Sequence, residues 1–324
     1  MSEIEVRLLS KQFSYYEKKT GLGSSVKNLF HREKLYKDAV KAISFDIQAG
    51  EMVGFIGSNG AGKTTTLKML SGILFPTDGE ARICGYIPWE RKVEFKKNIS
   101  IVMGQKNQLW WDLPASESFY LNKCIYEIDS NAYSKFLEEL AELLDVKHLM
   151  NIQVRRLSLG ERMKMELIAA LIHKPRVLFL DEPTIGLDIM SQKKIRSFLK
   201  YYNEQYKATI LLTSHYMKDI EDLCKRAVVI NKGTVVYDGE FARINDVFSG
   251  KKLVRLQLSQ QVELPVLSDF GKVLETDGYT ATFEVNRQNA LDLTKSIQDK
   301  LPVADFNIED VPVEEGITML LEKG

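Results

Sequence analysis

Short apolar runs, separated by turn residues, recur along the chain and predict buried strands. Residues 177–180 are apolar throughout, and residues 52–56 are apolar apart from Gly54, as expected for strands buried on both faces of a parallel sheet. Further strands are predicted over residues 4–9, 40–47, 81–86, 99–104, 209–213, 227–230 and 234–237. Helical spacing of apolar positions predicts helices over residues 65–73, 115–126, 134–144, 161–172, 189–202 and 216–225. This alternation predicts an α/β fold.

Two segments interrupt the alternation. Residues 14–38 are polar and rich in lysine, glycine and serine, and we interpret them as an inserted loop with a short helix around residues 26–30. Residues 91–154 contain an aromatic turn at Trp110 and Trp111 and two of the predicted helices. They predict a helical insertion in the α/β domain.

The composition shifts again near residue 250. Beyond it the pattern predicts strands over residues 253–258, 272–275, 280–285 and 306–311, with a helix over residues 289–301. We therefore expect a first domain over residues 1–245 and a small α+β domain over residues 250–324. No grouping of residues in this second domain is typical of a catalytic site.

Composition and charge exclude some classes of function. The chain has 324 residues, 44% of them hydrophobic, which is enough for one large core or two domains. Its formal net charge is zero, so no overall attraction to nucleic acid is expected. The three cysteines, Cys84, Cys124 and Cys224, lack metal-ligand spacing and fit structural positions in a reducing compartment. No stretch approaches the ~20 apolar residues that span a bilayer, so we expect another chain to supply any membrane part.

Residues 57–64 carry glycines, a lysine and a hydroxyl residue at the spacing of a phosphate-binding loop, between a predicted strand and a predicted helix. Glycine permits backbone angles that let successive N–H groups surround a phosphate, and the helix N-terminus adds positive charge. Lys63 supplies a charge to the outer phosphates, and Thr64 offers a hydroxyl to Mg²⁺. We expect nucleotide contacts from Gly57, Ser58, Asn59, Gly60, Ala61, Gly62, Lys63, Thr64 and Thr65. The strand–turn–helix context disfavours the alternative of a glycine-rich turn that binds nothing.

Two carboxylates end the apolar strand at residues 177–180. Asp181 would lie beside the phosphate loop and hold Mg²⁺, directly or through water. Glu182 would face the γ-phosphate and act as general base on a water molecule. Taken alone, the pair is as readily explained as solvated acids at the end of an ordinary strand.

Five further positions carry weaker signals. Ser158 and Gly160 open a helix and can present a hydroxyl and a backbone N–H to an anion, although such residues are more often simple helix caps. Gln105 follows a predicted strand and could reach Mg²⁺ or water, or merely bond within a loop. His215 also ends a strand and could contact a γ-phosphate, or serve as a loop residue. Asp188 could be only an N-cap.

Together and in this order, these features resemble the nucleotide-binding subunit of an ABC transporter, over roughly residues 4–239. The resemblance implies a P-loop NTPase cassette with a RecA-like core, an antiparallel β subdomain and a helical subdomain. It assigns Gln105 to the glutamine loop, Ser158, Gly160 and Glu161 to the signature sequence, Asp181 to magnesium, Glu182 to catalysis, Asp188 to the loop that crosses the dimer and His215 to the switch histidine. The implied cofactors are ATP and Mg²⁺.

The family usually places an adenine-stacking aromatic residue before the phosphate loop. Phe13 follows Ser10, Lys11 and Gln12 at that place. The inserted loop leaves alternatives open, since Tyr15, Tyr16 or Tyr36 could take the role.

The chain departs from the usual signature at two positions. Leu159 replaces the first central glycine and Glu161 replaces the closing glutamine, whereas Ser158 and Gly160 remain. We therefore expect activity to be retained. With residues 104–111 and the small second domain, the chain is similar to ATPases that serve type-2 ABC export permeases.

The resemblance also implies partners. Two cassettes, identical or related, would sandwich ATP head to tail, so that Ser158 and Gly160 act in trans. The helical insertion would receive a separately encoded membrane permease, with Trp110 and Trp111 either in that contact or packed inside the insertion. The chain would then lie on the cytoplasmic face of the cell membrane, drive export, and bind no nucleic acid.

Three rival functions are weighed against this one. An importer cassette would also lack membrane segments. A soluble ABC ATPase acting on ribosomes or DNA usually has two cassettes or long insertions, which this sequence lacks. A subunit that senses ATP without turnover is disfavoured by the presence of Glu182 and His215.

Overall fold

The structure is a computed structural model that describes residues 2–16, 34–104, 106–244, 251–310 and 317. These residues belong to two compact units, Met1–Asp238 and Gly239–Gly324. Within the described residues, no helix combines the length and the apolar character needed to cross a membrane.

Thirteen strands and nine α-helices are found in the described residues. The strands are β1 (Ser2–Tyr16), β2 (Lys34–Gln48), β3 (Met52–Ile56), β4 (Asp78–Ile83), β5 (Ile99–Met103), β6 (Val177–Asp181), β7 (Thr209–Thr213), β8 (Arg226–Asn231), β9 (Thr234–Glu240), β10 (Lys251–Leu258), β11 (Lys272–Thr276), β12 (Thr280–Asn286) and β13 (Val303–Asp310). The helices are α1 (Lys63–Leu70), α2 (Val93–Asn98), α3 (Ala115–Ile125), α4 (Ser130–Leu143), α5 (Leu159–Leu171), α6 (Ile189–Tyr206), α7 (Met217–Leu223), α8 (Leu264–Ser268) and α9 (Ala290–Lys300).

A six-stranded sheet forms the centre of the first unit, in the order β5-β6-β7-β3-β8-β9. Strands β5, β6, β7, β3 and β8 pair in parallel. Every residue of β3, β6 and β7 is buried, which explains why the centres of these strands are continuous apolar runs rather than alternating ones. Parallel strands direct their carboxyl ends to one edge, so the segments after β3, β6 and β7 meet there. The predicted α/β fold is confirmed.

A three-stranded antiparallel sheet, in the order β2-β1-β4, completes the strands of the first unit. Its β1–β2 pair continues to Tyr16 opposite Lys34, so the prediction of a loop over residues 14–38 was wrong at both ends. Those strand ends are mostly exposed, and their polar residues give no apolar alternation for a sequence to reveal. The predicted helix at residues 26–30 lies outside the described residues.

The segment predicted as a helical insertion, residues 91–154, has two structural parts. Its first part includes α2 and β5, and β5 is an edge strand of the central sheet rather than part of a helical layer. Its second part carries α3 and α4. Asp129 caps α4 by accepting hydrogen bonds from the N–H groups of Asn131 and Ala132.

The described part of the second unit contains a four-stranded antiparallel sheet in the order β11-β12-β10-β13. The chain order β10-α8-β11-β12-α9-β13 with this pairing is the split βαβ, or ferredoxin-like, topology. Val254, Phe283 and Ile297 lie in its buried core. The sequence did not predict α8, because a five-residue helix is too short to show a helical period.

Candidate functional site

The loop between β3 and α1 requires glycine at several positions. Gly60 and Gly62 have φ angles of 79° and 112°, in the region that side chains disfavour. A Cβ atom on Gly57 would lie 2.3 Å from the carbonyl oxygen of Ile230, and one on Gly62 would lie 2.5 Å from that of Ala39. The loop therefore keeps its shape only because these three residues have no side chain.

Lys63 is the first residue of α1 and is buried at 6% exposure. Its Nζ donates hydrogen bonds to the carbonyl oxygens of Gly57 (2.7 Å) and Ser58 (3.1 Å). Burial lowers the pKa of Lys63, while the carboxylates of Glu182 and Asp181 act to raise it. The ammonium group is thus a cation held inside the loop and close to two acids.

The carboxylate of Asp181, at the end of β6, is held by two hydroxyl groups. Thr64 Oγ1 donates to Oδ2 and Thr213 Oγ1 donates to Oδ1, each at 2.8 Å. Oxygen donors of this kind are the ligands that Mg²⁺ prefers, so Thr64 and Asp181 fit such an ion. In the described residues no cluster of three or more His, Cys, Asp or Glu side chains could hold a metal by itself.

Glu182 has a strained backbone, with a φ angle of 56° that is uncommon for a residue with a side chain. Its N–H donates to both oxygens of Thr213, Oγ1 at 3.0 Å and the carbonyl at 3.1 Å, which stabilise this turn. His215 Nε2 lies 2.9 Å from Glu182 Oε1. Backbone strain that the surroundings hold in place is concentrated at functional sites, so this turn is a candidate for catalysis.

A cleft of about 300 Å³ lies over the phosphate loop. Its lining residues are Phe13, Lys37, Ala39, Asn59, Gly60, Gly62, Lys63, Thr64, Thr65 and Glu182. Phe13 is 40% exposed and stands opposite Lys37 in the β1–β2 pair. The structure thus brings Phe13 to the same cleft as the phosphate loop, whereas Tyr15, Tyr16 and Tyr36 are exposed and do not line it.

The loop before α5 ends in a capping box. The Ser158 side chain accepts from the N–H of Glu161, and the Glu161 carboxylate accepts from the N–H (2.8 Å) and hydroxyl (2.9 Å) of Ser158. This explains how Glu161 can replace the usual glutamine, since either side chain closes the box. A Cβ atom on Gly160 would lie 2.4 Å from Ser191 Oγ, so a side chain at this position would displace the Ser191 hydroxyl.

Asp188 caps α6 by accepting hydrogen bonds from the N–H of Ser191 (2.9 Å) and its hydroxyl (2.6 Å). These bonds lower the pKa of Asp188. Through Ser191, the start of α6 lies against Gly160 at the start of α5. The next two residues, Ile189 and Met190, are 78% and 74% exposed.

Gln105, a predicted metal and catalytic residue, lies outside the described residues. Its neighbour Gly104 contacts the site directly, because its N–H donates to the Asp181 carbonyl at 2.8 Å. A Cβ atom on Gly104 would lie only 2.1 Å from the Glu182 carbonyl oxygen. The chain before Gln105 is therefore packed tightly on the Asp181–Glu182 turn.

Sequence reasoning missed a buried ionic group beneath the site. Asp219, 1% exposed, accepts hydrogen bonds from Ser214 (2.7 Å), Arg196 (2.8 Å) and Thr184. Thr184 and Ser214 lie in the loops that carry Glu182 and His215, so Asp219 ties those loops together. No spacing signal marks these residues, because they are brought together from β6, β7, α6 and α7.

Comparison with known proteins identifies the family. The ABC transporter family profile matches residues 40–185, and the profile of the EvrA-like ABC transporter C-terminal domain matches residues 250–309. The ABC transporter ATP-binding protein NatA of Bacillus subtilis is 34% identical over 65% of this chain and 85% of its own length. The bacitracin transport ATP-binding protein BcrA of Bacillus licheniformis is 30% identical over 73% of this chain and 76% of its own length.

Solved structures agree on the fold. One described as an ATP-binding subunit of an ABC transporter has a TM-score of 0.63 and 23% identity, covering 76% of this chain and 93% of its own. The dimeric ABC transporter cassette MJ0796 has a TM-score of 0.60 and 20% identity, covering 73% of this chain and 98% of its own. The phosphate loop, the Asp181–Glu182 turn and these similarities lead to one conclusion: the chain belongs to the ATP-binding subunits of the ABC transporter family, which bind and hydrolyse ATP.

Proposed function

We propose that this chain is the motor subunit of an ABC exporter, in which two cassettes close on ATP and drive a separate membrane permease. The observation that carries the proposal is the Glu182–His215 pair, 2.9 Å apart, placed by β6 and β7 beside the Lys63 loop. A carboxylate and an imidazole at that place can act on a water molecule and on a γ-phosphate.

The phosphates of ATP would bind at residues 57–65. Backbone N–H groups of the loop and the ammonium of Lys63 would surround them, and the N-terminus of α1 would add its positive end. Thr64 and Asp181, together with Gln105, would hold Mg²⁺, which neutralises charge on the phosphate oxygens when it is bound. Phe13 would stack on the adenine, a role supported by its position in the same cleft.

Glu182 would orient and deprotonate the attacking water. The bonds from its N–H to Thr213 hold the backbone turn that carries Glu182, and its side chain is 14% exposed, so little bulk water competes for it. His215 Nε2 would donate to the γ-phosphate, where negative charge must be stabilised during transfer. The Asp219 group would keep both loops in place.

A second cassette would supply the remaining contacts to each ATP. Ser158 and the N–H of Gly160 stand at the start of α5, where a helix N-terminus favours an anion. Asp188 would lie in the segment that crosses between the cassettes. The exposure of Ile189 and Met190 beside it supports a surface that a partner covers. The partner would be a second copy or a related subunit.

The permease would bind the second part of residues 91–154. Trp110 and Trp111 are 49% and 45% exposed, which favours a contact surface over packing inside the segment. The proposed direction of transport, export, is supported by the names of two relatives. These are the Nod factor export ATP-binding protein of Burkholderia pseudomallei and the linearmycin resistance ATP-binding protein of Bacillus subtilis. The chain would then work on the cytoplasmic face of the cell membrane.

Recovery of the chain from detergent-solubilised membranes, followed by an ATPase assay on the recovered material, tests this proposal. We expect a permease to accompany the chain, and a Trp110→Ala/Trp111→Ala double variant to lose it while still binding ATP. Recovery with ribosomes or nucleic acid, or with an importer and its solute receptor, would overturn the export function.

A further inference from the structure

Glu166 is a buried acid to which no role in the site has yet been given. It lies on α5, is 4% exposed, and its Oε1 accepts hydrogen bonds from the N–H groups of Gln108 (2.8 Å) and Leu109 (3.3 Å). Its Oε2 is buried and has no hydrogen-bond partner in the described part of the chain. One carboxylate oxygen thus holds two consecutive backbone amides.

These two amides end a segment whose start is fixed to the catalytic turn. Residues 106–109 follow Gly104 and Gln105, and the N–H of Gly104 donates to the Asp181 carbonyl. The side chain of Gln108 donates to the Ile101 carbonyl in β5 at 2.6 Å. Through its bonds to the N–H groups of residues 108 and 109, Glu166 attaches the C-terminal end of this segment to helix α5.

Ser158 caps the start of helix α5, about two turns before Glu166. A helix is stiff over that distance, so a displacement of residues 108–109 is transmitted to the Ser158–Gly160 end. The same helix rests on α6 through Gly160 and Ser191. The segment therefore connects the turn that carries Glu182 with the loop that would face the partner cassette.

Helix packing alone does not explain an acid at this position. Burial raises the pKa of Glu166, which shows that the site penalises its charge, and an apolar residue of similar volume would fill the space without that cost. What an apolar residue cannot do is accept from two buried amides, which would otherwise be left unpaired.

We propose that Glu166 is a positioning residue for ATP hydrolysis. It fixes residues 108–109 to α5, so that the turn carrying Glu182 and the start of α5 at Ser158 are displaced together. The proposal rests on the proposed role of Ser158 in trans. It assigns no contact between Glu166 and the nucleotide.

Two substitutions separate positioning from packing. Glu166→Met keeps the volume and removes both acceptor oxygens, whereas Glu166→Gln keeps one oxygen for the amides. Lys164→Met, on the same helix and part-exposed, is the matched control. We expect Glu166→Met to lower kcat at least tenfold with KM for ATP within twofold, because Lys63 and the phosphate loop are untouched. Glu166→Gln and the control should stay within threefold of wild type.

Hydrogen exchange provides a readout that does not depend on turnover. The amides of Gln108 and Leu109 should exchange at least threefold faster in Glu166→Gln, and faster still in Glu166→Met, so the test stands even if Glu166→Met folds poorly. A Glu166→Met variant with wild-type kcat, unchanged exchange in Glu166→Gln, or equal loss of kcat in both variants would overturn the proposal. Absence of hydrolysis in the wild-type chain itself would instead count against the proposed function.

Discussion

Substitution of Gly104 by alanine should damage catalysis without touching a catalytic side chain. The φ angle of Gly104 is not positive, so the substitution adds no backbone strain of the left-handed kind. The added methyl group would lie 2.1 Å from the Glu182 carbonyl oxygen and 3.1 Å from Ile185 Cγ2. Because the first of these atoms is backbone, no side-chain rotation can relieve the contact.

The size of the effect follows from this distance. The methyl group and the carbonyl must move from 2.1 Å to about 3.4 Å apart, the ordinary contact distance, which displaces the Glu182 turn or β5. A displacement on the order of 1 Å at a reacting group costs about 10²-fold in rate. Overpacking of this kind destabilises the fold by about 1–3 kcal/mol. We therefore expect kcat to fall roughly 100-fold, with KM for ATP almost unchanged.

The assay is steady-state ATP hydrolysis over a range of protein concentrations, with nucleotide affinity measured separately on each variant. Gly85→Ala is the matched control: its φ angle of 83° makes alanine strained, by about 1 kcal/mol, but no atom lies within 4 Å of the new methyl group. The control should lose stability and keep kcat. A Gly104→Ala variant with wild-type kcat would show that the contact between residue 104 and the Glu182 carbonyl does not hold the catalytic turn in place.

Three other predictions follow from buried contacts. Thr213→Val removes the hydroxyl that bonds Asp181 and the Glu182 N–H, and should lower kcat about tenfold or more in the ATPase assay, as expected for a bond of about 1.5–3 kcal/mol to a charged group. Asp219→Asn should cost about 3 kcal/mol in urea unfolding because Arg196 loses a buried partner, whereas Asp222→Asn, which removes the second and more exposed carboxylate beside Arg196, should cost less than about 1 kcal/mol. The Tm of Glu166→Gln should rise relative to the Tm of the wild type between about pH 4 and pH 8. Because burial raises the pKa of Glu166 in the folded protein, the unfolded wild-type chain loses this proton at a lower pH than the folded protein does, and the wild type loses stability as the pH rises. A difference in Tm that stays constant with pH would contradict this.

The sequence predicted the central strands well because their burial is uniform. Strands β3 and β7 match the predicted bounds, since a strand buried on both faces of a parallel sheet has an apolar centre, and in β7 only the end residues Thr209 and Thr213 are polar. The β1–β2 extension to Tyr16 escaped prediction because both strands are exposed there. The position of β5 in the central sheet depends on its pairing with β6, and no local pattern records a pairing partner.

The site was predictable where function constrains neighbours in sequence. The phosphate loop lies within eight consecutive residues, so its spacing predicted it, and the Asp181–Glu182 pair was assigned from its place in the order of motifs along the chain. Thr213, Asp219 and Glu166 act through contacts between distant parts of the chain, such as the bond from Thr213 to Asp181. The strained φ angle of Glu182 is likewise set by its hydrogen bonds to Thr213 and leaves no mark on composition.

In the proposed function, Glu182 activates water for ATP hydrolysis between two cassettes. The most direct measurement is ATP turnover by Glu182→Gln, combined with its ATP-dependent association measured by sedimentation. We expect ATP binding and association to persist while turnover falls by at least about 10²-fold, since the amide cannot take a proton. Turnover at the wild-type rate by this variant would exclude Glu182 as the group that activates water.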